Sequence, residues 1–233
     1  MADRDGLLPV GMMSATRLTA DSLYRFFRAG EEETFALQGV GLQVEKGEIV
    51  AVTGPSGSGK TTLLSCLAGL DEPDGGTVHI AGERLSHQQE HLRSRLRARY
   101  IGVLFQSGNL LDHLTVRDNI RLVQGLSGGK DRPGVHELLR DVGIAPRAGA
   151  LPRQLSGGEA ARAGLAVALA NNPAVLLADE LTGEVDGETE RRVLALLRER
   201  AGAGTAMVLV THSRAVAAVA DRVLRLRDGR WVR

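Results

Sequence analysis

The sequence is poor in cysteine, lysine and aromatic residues. It has a single cysteine, Cys66, among 233 residues, which excludes an intrachain disulfide framework and a cysteine-rich zinc module. Aromatic residues make up 3% of the chain, and lysine occurs only at positions 46, 60 and 130. The 29 basic and 28 acidic residues nearly cancel, so the net charge of +1 gives no overall attraction to nucleic acid or anionic lipid. No nucleic-acid partner is therefore expected.

Long apolar runs are also missing. The longest uncharged stretch, 163–178, contains Asn171, Asn172 and Pro173 and falls short of the roughly 20 apolar residues that a membrane-spanning helix needs. A short apolar stretch near the start follows Asp3-Arg4-Asp5, which is not the positively charged start of a signal peptide. We therefore expect a cytoplasmic protein, with a flexible leader over residues 1–16 and a single domain over 17–233.

Strand and helix patterns alternate along most of this domain. The apolar run Ile49–Val52 suits a strand buried on both faces, as in a parallel sheet covered by helices. Further strands are predicted at 77–80, 100–105, 174–178 and 206–210, helices at 61–70, 85–99, 116–126, 135–142 and 189–200, and a small hairpin at 223–232. Only helical patterns occur between 110 and 155. The sequence thus predicts an α/β core with an inserted helical subdomain at about 107–160.

A glycine-rich motif follows the first buried strand, with the sequence Gly54-Pro55-Ser56-Gly57-Ser58-Gly59-Lys60-Thr61. This is the P-loop pattern, in which glycines let backbone N–H groups surround phosphate oxygens and the following helix adds partial positive charge. Lys60 is expected to neutralise the β- and γ-phosphates and the Thr61 hydroxyl to ligate Mg²⁺, with Thr62 completing the phosphate-binding set. The motif therefore predicts ATP and Mg²⁺ as ligands.

Two carboxylates, Asp179 and Glu180, end the apolar strand that begins at Ala174. Ligands of open parallel sheets gather at the carboxyl ends of strands. Asp179 is then placed to hold the metal, directly or through water, and Glu180 to act as general base towards a water near the γ-phosphate. Acidic residues after a strand also serve as helix caps, but the P-loop in the same chain favours the metal and base roles.

The segment Leu155-Ser156-Gly157-Gly158-Glu159 precedes another apolar helical run. The spacing of Ser156 and Glu159 indicates a capping box, and the exposed N–H groups of Gly157 and Gly158 indicate an anion site at a helix N-terminus. Both interpretations are compatible. A second Ser-Gly-Gly at 127–129 is followed by the helix-breaking Pro133, so we predict a loop there.

In their order these motifs resemble the ATP-binding-cassette (ABC) ATPases, the nucleotide-binding subunits of ABC transporters. The resemblance runs from about Leu23 to Arg230, and the three motifs correspond to Walker A, Walker B and the family's signature motif. It implies a P-loop NTPase (RecA-like) core with an antiparallel β subdomain and an inserted α-helical subdomain. Three stretches are most similar to the lipoprotein-release, macrolide-export and cell-division subgroup: 28–31, 176–180 and 227–230.

The resemblance also implies roles for residues outside these motifs. Gln106 corresponds to the Q-loop glutamine, which senses the metal and the attacking water. Asp186 corresponds to the D-loop aspartate, and His212, which follows an apolar strand, corresponds to the H-loop histidine that contacts the γ-phosphate. In this family an aromatic residue upstream of the P-loop stacks on adenine. Phe27 matches that position, with Tyr24 and Phe26 as alternatives.

The chain departs from the family pattern at three places. Leu181 stands where proline usually follows the catalytic glutamate, Glu184-Val185-Asp186 stands where Asn-Leu-Asp is usual, and Val167 stands where the helix after the signature normally carries arginine. None of these positions is expected to touch phosphate. Each is expected to alter communication between subunits and to slow turnover.

The resemblance further implies an assembly. Two copies bind head to tail, with each ATP between the Walker A loop of one copy and Ser156 of the other, and a separate membrane permease is driven by hydrolysis. We expect the protein to lie on the inner face of the cell membrane, docked through Leu110, Leu111 and Leu114, in an export or extraction system. The alternative is a mechanotransmission or regulatory ATPase that acts on a membrane partner without moving a solute.

Two more hypotheses concern the chemistry. A DNA-repair ABC ATPase would carry a coiled coil or zinc insert, and residues 62–152 show neither pattern. A binding-only module would follow if Leu181 prevented hydrolysis.

Two further sequence features have structural interpretations. The run Arg93, Arg95, Arg97 and Arg99 is expected to be a solvated surface, and Cys66 is expected to be a buried apolar residue.

Overall fold

The computed structural model describes residues 16–29, 32–127, 132–181 and 187–232. The strands are β1 Thr16–Ala29, β2 Glu32–Glu45, β3 Ile49–Thr53, β4 Gly75–Ile80, β5 Glu83–Arg84, β6 Ile101–Leu104, β7 Val175–Asp179, β8 Ala206–Val210, β9 Arg222–Arg227 and β10 Arg230–Val232. The α-helices are α1 Lys60–Leu67, α2 Glu90–Tyr100, α3 Val116–Ser127, α4 Val135–Asp141, α5 Gly157–Ala168, α6 Gly187–Gly202 and α7 Arg214–Val219. Two short 3₁₀ helices, Ala145–Arg147 and Pro152–Gln154, lie between α4 and α5.

The larger sheet has six strands in the order β10-β9-β3-β8-β7-β6. All neighbouring pairs are parallel except β9 and β10, which form the predicted terminal hairpin. The strands β7 and β8 are buried along their whole length because helices or the second sheet cover both faces. Leu176 and Ala178 of β7 face the core formed with α3 to α6, whereas Val175 and Leu177 face the core formed with α1 and the second sheet.

The second sheet is antiparallel, in the order β2-β1-β4-β5. Its longest pairing joins β1 and β2, yet the sequence patterns did not predict β1. The register of this pair shifts at several points, including between Ala20 and Leu23, and Ser22 has a positive φ of 48°. Each bulge interrupts the alternation of apolar and polar residues by which a strand is recognised.

The helical insertion lies between β6 and β7, as expected, and contains α3, α4 and the start of α5. Several element boundaries differ from the predicted ones, and two of these differences are instructive. Thr16, assigned to the leader, begins β1, while residues 1–15 lie outside the described part. The predicted helix from Leu85 begins at Glu90 instead, because the Leu85 side chain is fully buried and the Ser86 hydroxyl accepts a hydrogen bond from the Val78 N–H (2.9 Å). Among the described helices, none is both long enough and apolar enough to cross a membrane.

The arginine run on α2 lies at the surface as predicted, but two of its four members are only partly exposed because they are held in contacts. Arg93 pairs with the carboxylates of Glu72 and Glu90, and Arg97 donates to the Gly69 carbonyl (2.8 Å) and pairs with Glu90. Arg95 and Arg99 are exposed. Arg93 and Arg97 therefore join α2 to the segment after α1. The helical pattern of the sequence does not indicate such contacts.

Cys66 is buried within α1, as predicted. Burial raises the pKa of its thiol to about 12, and the nearby Asp71 carboxylate adds to this shift. A thiol with so high a pKa carries almost no thiolate at neutral pH. Cys66 therefore packs as a small apolar residue.

Asp221 joins the start of β3 to α6, and this contact predicts an acid-sensitive contribution to stability. Its carboxylate accepts from the Ile49 N–H (2.8 Å) and from Arg198 (2.9 Å), and these contacts, the N–H first, hold the pKa of Asp221 below its ordinary value of 3.8. A lowered pKa stabilises the fold above the pKa of the unfolded chain, and this stability disappears as pH falls through the lower, folded-state pKa.

We expect Asp221→Asn to lower the free energy of unfolding by about 1 kcal/mol at pH 7, measured by urea denaturation. The difference from wild type should begin to shrink as pH falls below about 4, where the unfolded chain takes up the proton, and should disappear below the lowered folded-state pKa, where both side chains are uncharged. Asp21→Asn, at an exposed position of β1, is the control and should change stability little. An Asp221→Asn effect that is the same at pH 7 and pH 3 would contradict the charge argument.

Candidate functional site

The predicted P-loop connects β3 to α1, and its shape requires glycine at two positions. Gly54 and Gly59 have φ values of 153° and 98°. A Cβ at Gly54 would lie 2.1 Å from the Leu226 carbonyl oxygen, and a Cβ at Gly59 would lie 2.2 Å from that of Ala36. The loop thus passes directly against two neighbouring backbones, and side chains at these positions would displace it.

Lys60 lies at the start of α1 and is 8% exposed. Its ammonium donates to the carbonyl oxygens of Gly54 (2.9 Å) and Pro55 (2.8 Å). Within the described ranges no carboxylate pairs with it, so a buried positive charge lacks a counter-charge. The first N–H groups of α1 also lack intrahelical partners, and Gly59 offers no side-chain cap. This donor set fits an incoming phosphate.

A hydroxyl and a carboxylate meet beside this loop. Thr61 Oγ1 donates to Asp179 Oδ2 at 2.9 Å, and Asp179 is buried at the end of β7. Oxygen ligands of this kind suit Mg²⁺, which usually takes one or two protein ligands and completes its shell with phosphate and water. Within the described ranges no group of three or more His, Cys, Asp or Glu residues is arranged so that it could hold a metal ion by itself.

Glu180 and His212 lie at the ends of two adjacent strands, β7 and β8. The Glu180 N–H continues the pairing by donating to the Val210 carbonyl (3.0 Å), and Glu180 Oε1 lies 3.5 Å from His212 Nε2. Glu180 has a positive φ of 52°, which is unfavourable for a residue with a side chain. Leu181, the next residue, is 4% exposed and packs in the core with α3 to α6. Burial of Leu181 therefore anchors the turn that presents the Glu180 carboxylate.

A cleft of about 830 Å³ separates the P-loop from the helical insertion. The predicted site residues on its wall are Ser56, Gly57, Lys60, Thr61, Gln106, Gly157, Asp179, Glu180 and His212. Gln106 reaches it from the exposed loop after β6. The cleft is of the size that cofactor sites usually have. The structure thus brings all six predicted catalytic and metal-binding residues together at one cleft.

The predicted capping box at the start of α5 is present. Ser156 Oγ accepts from the Glu159 N–H (3.2 Å), and the Glu159 carboxylate accepts from the Ser156 N–H (3.0 Å) and from Arg147 (2.8 Å). These contacts, the Ser156 N–H first, hold the pKa of Glu159 below its ordinary value. Gly157 reaches the cleft wall, whereas Ser156 is exposed and outside it. The role of Ser156 and Gly158 towards phosphate stays a prediction.

The predicted adenine-stacking residues lie away from the cleft wall. Phe27 on β1 is 44% exposed, and the Arg25 guanidinium lies 4.7 Å from its ring centre. Tyr24 is 48% exposed and packs beside Gly39, and Phe26 lies 6.2 Å from the ring of Phe35. The choice among the three aromatic residues stays open. Asp186, with the rest of the altered D-loop, lies outside the described residues.

Comparison with known proteins identifies the family. A family model described as ABC transporter matches residues 37–183. The chain belongs to the ABC transporter ATP-binding family. It is 43% identical over 207 residues to the uncharacterized ABC transporter ATP-binding protein YbbA of Escherichia coli K12, covering 86% of this chain and 90% of that protein. The dimeric structure of the bacterial cassette MJ0796 superimposes with a TM-score of 0.88 at 33% identity, covering 93% and 97% of the two chains.

Two further relatives have more specific names. The methionine import ATP-binding protein MetN of Rhizobium etli is 44% identical over 204 residues, covering 85% of this chain and 56% of that protein. The macrolide export ATP-binding/permease protein MacB of Rhodopirellula baltica is 42% identical over 213 residues, covering 89% of this chain and 31% of that protein. The family and the fold class predicted from the motifs are confirmed.

The sequence patterns missed one residue that shapes the Q-loop of this cassette. Asn109 accepts from the Phe105 N–H (2.7 Å) and donates back to the Phe105 carbonyl (2.5 Å), so its amide closes the turn that carries Gln106. Asn109 itself lines the cleft. The signal was present as Gly108-Asn109, because asparagine beside glycine favours tight turns closed by the side chain.

The buried ammonium of Lys60 predicts a large loss of nucleotide affinity on its removal. We expect Lys60→Ala to raise the Kd for MgADP, measured by titration calorimetry, by at least about tenfold, because charge-assisted hydrogen bonds to phosphate are lost. Lys46→Ala, at an exposed lysine between β2 and β3, should leave the Kd unchanged. Equal Kd values for the two variants would contradict the phosphate-binding role of Lys60.

Proposed function

We propose that this cassette hydrolyses MgATP to ADP and phosphate and uses the reaction to drive a membrane partner. The observation that carries the proposal is the single cleft on which Lys60, the Thr61–Asp179 pair and Glu180 converge. Family membership and the solved post-hydrolysis structure of MJ0796 bound to ADP and Pi support the same reaction.

The site residues have different roles in this reaction: phosphate binding, metal binding and proton transfer. Lys60 and the N–H groups of the loop hold the β- and γ-phosphate oxygens, and Thr61 with Asp179 and Gln106 would hold Mg²⁺, which neutralises charge that develops on those oxygens. Glu180 accepts a proton from the attacking water as the new oxygen–phosphorus bond forms and the bond to the ADP oxygen breaks. In this proposal His212 contacts the γ-phosphate, and its position 3.5 Å from the Glu180 carboxylate supports that role.

We further propose that two copies assemble head to tail around two nucleotides. Ser156 is exposed at the N-terminus of α5, and in the described residues its hydroxyl contacts only its own cap. A second copy would supply a phosphate for this helix end, which favours anions. The related MJ0796 cassette has been solved as a dimer.

The membrane partner in this proposal is a permease that docks near the Q-loop. Leu111 is exposed there, and buried Asn119 fixes the loop by accepting from the Leu111 N–H (2.8 Å) and donating to the Leu114 carbonyl (3.2 Å). With Leu110, this ordered apolar loop suits a short helix of the partner, placing the cassette on the inner face of the membrane.

We propose that the system exports or extracts its substrate, which the name of the relative MacB supports. The name of the relative MetN makes import the alternative direction. Vesicle transport by the reconstituted complex decides between them, and ATP hydrolysis without transport indicates mechanotransmission.

The general-base role predicts a separation of binding from turnover. Glu180→Gln should bind MgATP with wild-type affinity, accumulate as an ATP-bound dimer in size-exclusion chromatography, and release phosphate at least about 100-fold more slowly, because the amide cannot accept the proton. Glu199→Gln, on the exposed face of α6, is the matched control and should hydrolyse ATP normally. Wild-type turnover by Glu180→Gln would refute the assignment, and a wild type that binds but never releases phosphate would indicate a binding-only module.

The adenine assignment predicts that a change at Phe27 differs in effect from changes at the two neighbouring aromatic residues. Phe27→Leu should raise the Kd for MgATP about fivefold, because base–aromatic stacking contributes roughly 1 kcal/mol or more. It should leave binding of inorganic tripolyphosphate unchanged, since that ligand has no base. Tyr24→Leu and Phe26→Leu are the comparison variants. An ATP-specific loss in either of these, and not in Phe27→Leu, would move the stacking role to that residue.

A further inference from the structure

The turn of the terminal hairpin, Asp228-Gly229 between β9 and β10, lies directly against the phosphate-binding loop. The Gly229 N–H donates to the Ser58 carbonyl at 3.1 Å. Just before the turn, the Leu226 carbonyl faces Gly54. The Ala36 carbonyl of β2 lies 2.8 Å from where a Cβ on Gly229 would be, so β2, the hairpin and the loop meet at one point.

Gln38 on β2 holds this turn with both its backbone and its side chain. Its N–H donates to the Gly229 carbonyl (2.8 Å), and its side-chain amide donates to the Asp228 carbonyl (2.9 Å). Its side-chain oxygen accepts from Arg230 (2.8 Å), the first residue after the turn. One glutamine thus fixes both residues of the turn and the strand that leaves it.

The contact with Ser58 determines how the loop presents its N–H groups. In a trans peptide the carbonyl of one residue and the N–H of the next point in opposite directions, and the described residues contain no cis peptide. Because the Ser58 carbonyl is held towards the hairpin, the Gly59 N–H of the same peptide points to the other side of the loop. Ser58 is 2% exposed, and in the described residues its hydroxyl has no hydrogen-bond partner. The side chain therefore does not tie Ser58 to the hairpin, and the hydrogen bond from the Gly229 N–H to the Ser58 carbonyl makes that connection.

We propose that Gln38 is a positioning residue for the phosphate-binding loop and acts through the 228–229 turn, which orients the peptide between Ser58 and Gly59. The inference extends the proposed function, because it assigns to this loop a support on another strand. Gln38 touches no ligand in this proposal. Its effect reaches the phosphate through the Gly229–Ser58 hydrogen bond.

A matched pair of glutamines on β2 tests the side chain. Gln38→Ala should raise the Kd for MgATP about fivefold, because the loss of its side-chain hydrogen bonds costs on the order of 1 kcal/mol. The Kd for inorganic tripolyphosphate should rise by the same factor, since the change lies at the phosphates. KM should rise while kcat stays within about twofold, as expected when ground-state binding alone is weakened. Gln43→Ala, at an exposed position of the same strand, should change none of these values.

A matched pair of turn glycines tests the backbone contact. Gly82, in the turn between β4 and β5, has a φ of 83° and open space around a Cβ, whereas Gly229 has a φ of 70° and the Ala36 carbonyl in contact. Both changes to alanine should lower the melting temperature, because both force a side chain into a left-handed conformation. Only Gly229→Ala should also raise the Kd for tripolyphosphate.

The outcomes are separable. If Gln38→Ala lowers the melting temperature but leaves the Kd for tripolyphosphate unchanged, Gln38 has only a structural role and the inference is wrong. A loss for MgATP without a loss for tripolyphosphate places Gln38 at the nucleoside and also overturns it. If the wild-type protein binds neither ligand, the proposed function itself fails.

Discussion

The buried ammonium group of Lys60 is the constraint on which the site depends. Among the described residues the partners of this positive charge are carbonyl oxygens, so its burial is costly, and the cost is reduced when a phosphate enters the loop. The charge can be held there because Gly54 and Gly59 let the loop pass against the Leu226 and Ala36 carbonyls without a side chain between them. The same contacts that fix the loop therefore fix the position of the charge.

Parallel pairing of the central strands places the reactive groups around this charge. Asp179 of β7 is paired with Val210 of β8, and His212 follows two residues later. Groups more than 100 residues apart in sequence thus meet at one edge of the sheet, next to the loop that follows β3. The cleft is a consequence of strand order, and the helical insertion supplies its opposite wall.

The sequence was sufficient to predict this arrangement wherever the chemistry lies in a local motif. Continuous apolar strands, the P-loop and the Ser156 cap were each visible because neighbouring residues carry the whole signal. Features that depend on contacts between distant parts of the chain could not be predicted in this way. The bulges of β1 hide its alternation, and Arg93 is held by Glu72, a residue of another segment. Asp221 and Gln38 bind backbone groups of distant segments, a role for which residue type alone gives little indication.

Leu181 stands where the family usually has proline, and the backbone conformation of Glu180 gives a physical reason for this difference. A proline disfavours helical conformations in the residue before it, and the proline usual in the family would impose that restriction on Glu180. Leucine removes the restriction, and Glu180 here has a φ of 52°. Leucine also supplies an apolar side chain that is buried in the core, and this packing holds the residue after Glu180 in place. The substitution therefore changes how Glu180, the proposed general base, is held, and it leaves the carboxylate 3.5 Å from His212. Under the proposed mechanism no chemical group is missing, so a slower turnover would have to come from the coupling between subunits.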